Sequence, residues 1–257
     1  MTSSVCDSAA VQEIKDEVVK VVKQKIQKVA PKPVILPSSA AGSSLQFPYH
    51  VMDGFAGELA NAYSQHIESP PEFFYMAALT CLGSYIADRV TLLSEVRQQP
   101  RLNVLLLGES AETRKSTAIK KTIELFKGAY EDFAVCYGVG SAEGLQRRLQ
   151  ENPNLLLYLD ELKQFVGKCR IDSSVLLPCV TTLFESNKYE SSTKKGSIII
   201  DKEHLSILAA CTLQTYETIW DSQFTNIGFN NRLFIVPGKG ARSILSRTPS
   251  QSPRRRI

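Results

Sequence analysis

The six cysteines of this chain, at positions 6, 81, 136, 169, 179 and 211, form no C-x-x-C pair. That scatter argues against a zinc site and against a disulfide framework. Four of them, Cys81, Cys136, Cys179 and Cys211, stand in apolar stretches and read as reduced core residues of a cytoplasmic protein. No apolar run approaches the roughly 18 residues of a membrane span, so no membrane partner is expected. The first residues, MTSSVCDSAAVQEIKDE, are polar and partly acidic, and do not read as a secretory signal. A strong charge of one sign is lacking too: the net charge is +4, which permits an anionic partner without demanding one. No internal repeat is present. What remains is a chain of 257 residues, 43% hydrophobic and 22% charged, able to bury a real core.

Residues 9–29 space Val11, Ile14, Val18, Val21, Val22, Ile26 and Val29 as an amphipathic helix does. Such a helix packs on its own domain or pairs with another copy. The following PKPVILPSSAAGSS reads as a linker, so 1–46 forms an N-terminal helix and linker. Residues 47–100 read as a helical layer. DGFAGELANAYSQH (53–66) starts with an Asp suited to capping, SPPEFFYMAALTCLGSYIAD (69–88) is apolar nearly all round, and RVTLLSEV reads as a short strand. From 101 to 238 strands and helices alternate, the pattern of an α/β fold with a mainly parallel sheet and helices on both faces.

Five core strands are expected: 101–108, 132–138, 155–161, 204–212 and 232–238. Residues 197–201 add an edge strand. Helices are expected over 116–130, 141–152 (capped by Ser141), 173–186 (kinked by Pro178) and 216–224. The tail 239–257 is basic, carries no acid, and reads as disordered, or as a grip on phosphate backbones.

The chemistry starts at GESAETRKST, residues 108–117, between an apolar strand and a helix. A helix N-terminus after a parallel strand favours an anion. In a phosphate-binding loop a lysine reaches the phosphates and the next hydroxyl holds Mg²⁺. Lys115, Ser116 and Thr117 supply those groups, with Ser116 as the metal ligand. The usual G-x-x-x-x-G-K-[ST] pattern is absent. Arg114 replaces its second glycine, and Gly108 lies seven residues before Lys115 instead of six. Arg114 adds a cation that could touch phosphate. The plainer alternative is an ordinary strand-to-helix turn.

NPNLLLYLDEL ends a strand with Asp160 and Glu161, where ligands of open α/β sheets bind. Asp160 would hold Mg²⁺ and Glu161 would act as general base on a water; a plain helix cap is the alternative. At the end of HLSILAACTLQT, Thr212, or failing it Gln214, would position that water, unless the strand simply ends in polar residues. In GFNNRLFIV, Arg232 would stabilise transition-state charge, supplied from a neighbouring subunit in ring assemblies; a structural ion pair is the alternative. The cofactors expected are ATP and Mg²⁺.

These segments together resemble a family of P-loop ATPases of phages, plasmids and other mobile elements that accompanies primase or primase–helicase modules. The likeness spans about residues 47–238, through DGFAGELANAY, PPEFFYMAALTCLGSYIADRVTL, GESAETRKSTA, GSAEGL, LLYLDEL, LLPCVTTLFE, LSILAACT and GFNNRLFIV. Members of that family often carry Arg-Lys in the loop. The resemblance implies a P-loop NTPase fold of the RecA/AAA-like class with a five-stranded core. It implies Lys115, Ser116 and Thr117 as phosphate and Mg²⁺ contacts, Asp160 and Glu161 as the acidic pair, and Arg232 as a finger acting in trans in a homo-oligomer. It also implies a helicase-like role on DNA in mobile-element replication, with primase-type proteins as possible companions. Gly140, Ser141 and Glu143 match a motif of the family without an evident role. Against the enzyme stands a scaffold that binds nucleotide or DNA without turnover, which the missing glycines favour. A module that binds DNA through its basic tail is a third option.

Overall fold

The computed structural model describes residues 47–93, 99–193, 196–220 and 222–239. The amphipathic 9–29 segment, the linker and the basic tail beyond Lys239 lie outside the described residues. Two helices come first, α1 (Gly54–Ser64) and α2 (Pro71–Tyr85). Pro71 is the first residue of α2, where its missing N–H costs no helix bond. The all-round apolar sequence of α2 is buried over most of its length, as expected. Asp53 stands at the N-cap of α1 in extended conformation, but its carboxylate makes no capping bond. No strand forms over residues 89–93 of RVTLLSEV, and the rest of that stretch lies outside the described residues.

The core follows the expected alternation. Its elements are β1 (Asn103–Leu107), α3 (Lys115–Ala129), β2 (Ala134–Tyr137), α4 (Ala142–Glu151), β3 (Asn154–Leu159), α5 (Leu162–Cys169) and α6 (Leu176–Glu185). After them come β4 (Tyr189–Thr193), β5 (Gly196–Ile200), β6 (His204–Cys211), α7 (Leu213–Ile219), α8 (Ser222–Asn226) and β7 (Phe234–Pro237). Five strands form one sheet in the order β2-β3-β6-β1-β7, and every pairing in it is parallel.

Three expectations change. Residues 197–201 do not edge this sheet: β5 pairs antiparallel with β4 in a separate two-stranded hairpin. The helix expected over 216–224 is two helices, with α7 ending before Trp220, which is extended. Pro178 is the third residue of α6, in the first turn where amides lack an intrahelical acceptor, so it requires no kink.

Strand side chains alternate between the two faces of the sheet. Val104, Leu106, Leu156, Tyr158, Leu208 and Ala210 face a cluster with Phe73, Phe74 and Met76 of α2 and Ile119, Ile123 and Phe126 of α3. Leu105, Leu107, Leu155, Leu157, Leu205 and Ile207 face Leu145, Leu149, Phe165, Leu176 and Phe224 on the other side. The helical layer over 47–100 is therefore the cover of one sheet face. Burial on both faces explains why β1, β3 and β6 read as continuous apolar runs. The register aligns the strand ends: Leu107 is level with Cys211 and Pro237, and Tyr158 with Tyr137 and Leu208. The residues just after β1, β2, β3 and β6 consequently share one rim.

Five cysteines lie among the described residues, all free and all buried, Cys169 included. Among the described residues no helix is long and apolar enough to cross a membrane.

Candidate functional site

The loop 108–114 leaves β1 at that rim. A Cβ on Gly108 would stand 2.6 Å from the Thr113 hydroxyl, so only glycine lets the loop fold this tightly. Thr113 is fully buried, donates its hydroxyl to the Glu109 carbonyl at 3.0 Å, and accepts at its own carbonyl from the Ser69 hydroxyl at 2.9 Å. The connection between α1 and α2 thus braces the loop. Ala111 (φ 62°) and Arg114 (φ 47°) take left-handed conformations without being glycines. Arg114 is the N-cap of α3, so it adopts the backbone that glycine normally supplies. Its guanidinium is engaged within the chain. It pairs with Glu68 at 2.9 Å, and both side chains are largely exposed.

Lys115 begins α3 and is buried. Its ammonium donates to the Gly108 and Glu109 carbonyls at 2.8 and 3.1 Å and to the Thr113 hydroxyl at 3.3 Å. Burial pushes its pKa down, and the nearby Cys211, Glu161 and Glu109 oppose that shift. Glu161 therefore lies within electrostatic reach of Lys115. Between them sits Cys211, at the tip of β6. Its thiol approaches a Glu161 oxygen at 4.0 Å and, buried beside that carboxylate, has its pKa pushed up to about 11. Gly108 is buried, while Ser116 and Thr117 in the first turn of α3 are half-buried. That turn leaves backbone N–H groups without intrahelical acceptors.

Asp160 closes the other side. Its carboxylate receives the Tyr158 hydroxyl at 2.6 Å and the Lys120 ammonium at 2.9 Å. Burial pushes its pKa up, but hydrogen bonds from Ser116, Tyr158 and Lys120 outweigh this and hold the carboxyl below its ordinary range. The Lys120 bond ties α3 to the residue after β3 across β6, and Ser116 lies one turn before Lys120 on that helix. Glu161 stands at the N-cap of α5 without making a capping bond, so the helix-cap alternative does not account for its side chain.

Mg²⁺ fits this donor set as a companion of phosphate: such ions take one or two protein oxygens and complete their shell from substrate and water. Ser116 and Asp160 are two adjacent oxygen donors. Among the described residues no group of three His, Cys, Asp or Glu side chains could hold an ion unaided.

Two candidates are engaged elsewhere. Thr212 lies at the same rim, but its hydroxyl caps α7, accepting from the Thr215 N–H at 3.1 Å and donating to the Thr215 hydroxyl at 2.8 Å. Gln214 is exposed in α7. Arg232 precedes β7 and so lies at the opposite rim. It donates to the Ile227 and Gly228 carbonyls at 3.0 and 2.9 Å and pairs with Glu185 at the end of α6. Within its own chain it is an ion-pair residue, remote from Lys115.

Ser141 caps α4, accepting the Gly144 N–H at 3.1 Å, and Glu143 lies in that helix's first turn, which gives GSAEGL a local role. Tyr158 and Lys120 were not anticipated. Lys120 stands four residues after Ser116, on the same face of α3, and that spacing was the available clue. No protein-family model matches the chain, and no curated protein was found to be similar to it.

Proposed function

We propose that the chain binds ATP with Mg²⁺ at the rim formed by residues 108–117, 160 and 161, and hydrolyses it. The observation that carries this reading is the 2.9 Å bond from Lys120 of α3 to Asp160 after β3, with Ser116 one turn earlier on the same helix and Glu161 within electrostatic reach of Lys115. The lysine that heads the helix after β1 and the acids that end β3 are brought together across a single intervening strand, β6. That arrangement supports a RecA/AAA-like P-loop assignment. Lys115 would leave the loop carbonyls for the β- and γ-phosphates. Mg²⁺, held by Ser116 and Asp160, would supply charge neutralisation at the phosphates. Glu161 would accept a proton from the attacking water. Arg232 would serve only a neighbouring copy, after releasing Glu185. A helicase-like task on DNA in mobile-element replication, with primase-type companions, completes the reading and rests on the sequence resemblance.

The test is steady-state phosphate release. Glu161→Gln should keep ATP affinity and lower turnover by roughly 10²-fold or more. Release at the wild-type rate by that variant overturns the assignment of Glu161. A second reading, nucleotide binding without turnover, is favoured by the Arg114–Glu68 pair and by the capping role of Thr212. Saturable ATP binding with no phosphate release from the unaltered protein would select it.

A further inference from the structure

A pocket of about 300 Å³ at the same rim has Asp160 and Glu161 in its wall and reaches past them to Tyr137 and Lys168, two residues without a part in the proposed ATPase chemistry. Lys120, Tyr137, Tyr158, Asp160, Gln164 and Lys168 contribute to its wall. Tyr137 ends β2, the edge strand of the sheet, and leaves 59% of its surface open. Its ring lies nearly perpendicular to that of Tyr158, with centroids 5.8 Å apart. The Lys127 ammonium stands over the same ring, 5.3 Å from its centroid, as a cation a bound strand would draw toward its phosphates. The acid in the wall is partly countered, because Lys120 already pairs with Asp160.

We propose that this pocket binds one nucleotide unit of a nucleic-acid single strand. The base stacks on Tyr137, and the flanking phosphates lie against Lys127 and Lys168. An aromatic face offered to solvent with cations around it suits a base and its backbone, because every base has a π face and the phosphates need only point charges. Lys120 and Lys168 share the wall with the two acids, and Lys120 is paired with Asp160. The proposal rests on the ATPase reading only for the role of the strand; binding itself needs no nucleotide.

The experiment is fluorescence anisotropy of a labelled oligothymidylate with the full chain and no ATP, with thymidine monophosphate as competitor. Tyr137→Ala should weaken strand binding roughly tenfold, while Tyr137→Phe retains it. Lys168→Gln should flatten the salt dependence. Competition by the monophosphate at high concentration, or strand binding without such competition, each supports the site and separates a free nucleotide from a strand as its source. Unchanged affinity in Tyr137→Ala, including affinity carried by residues 239–257, overturns it, as does no binding of either probe. Binding of ATP, followed separately, distinguishes the two ideas. Tyrosine-dependent strand binding in a protein that ignores ATP leaves this site standing and removes the ATPase. The converse removes this site alone.

Discussion

Ahead of Lys115 the backbone turns left-handed at an arginine, a conformation that costs a non-glycine residue roughly 1–2 kcal/mol. Arg114 was legible in the sequence as a departure from the glycine pattern, but not as a residue holding the glycine's conformation, because backbone angles leave no trace in residue type. Its turn toward Glu68 was equally hidden, since the partner lies 46 positions away. Gly108 is the glycine the loop does require. Gly108→Ala should lower unfolding free energy by about 1–3 kcal/mol, measured by denaturant titration, as the new methyl displaces Thr113; a loss near zero would mean the loop is looser than described. His204, buried at the start of β6, has its pKa lowered by burial, then by Arg101. A depressed imidazole stabilises the fold above the unfolded-state value near 6.5 and loses that contribution as pH falls through the folded-state value. Denaturation midpoints between about pH 7.5 and about pH 5.5 should fall more for the wild type than for His204→Gln; parallel falls would contradict the assignment.

Elements were read well where burial imposes a pattern and poorly where it does not. β1, β3 and β6 are buried on both faces, and their apolar runs announce them. The β4–β5 hairpin is mostly polar and partly exposed, so no alternation marked it, and the run IIID passed for a sheet edge. α5 goes unassigned in the sequence although Leu162, Phe165, Val166 and Cys169 repeat at helical spacing, because the Asp-Glu pair before it reads first as metal ligand and base and only second as a helix cap. Thr212 belongs to this scale, since its hydroxyl starts α7. Thr212→Ala should cost about 1 kcal/mol of stability, and Thr212→Ser should restore it because serine caps as well. Stability unchanged in the alanine variant would release Thr212 from the cap and return it to the water-positioning role.

Across the whole molecule, a parallel sheet carries chemistry at the rim where its strands end, since loops there lie above the open ends of several strands at once. Register brings the loop after β1, the acids after β3 and the tip of β6 to that rim, and leaves Arg232 at the other. The sequence order alone could name Lys115, Ser116, Asp160 and Glu161, but only the insertion of β6 between β1 and β3 decides that they meet. The central claim is that this meeting point is a triphosphate site. Equilibrium titration of a fluorescent ATP analogue with Mg²⁺ tests it most directly. The account predicts saturable binding at one site per chain, weakened roughly 10²-fold or more by Lys115→Ala with the fold intact by circular dichroism. Equal affinity in the wild type and in Lys115→Ala would contradict it.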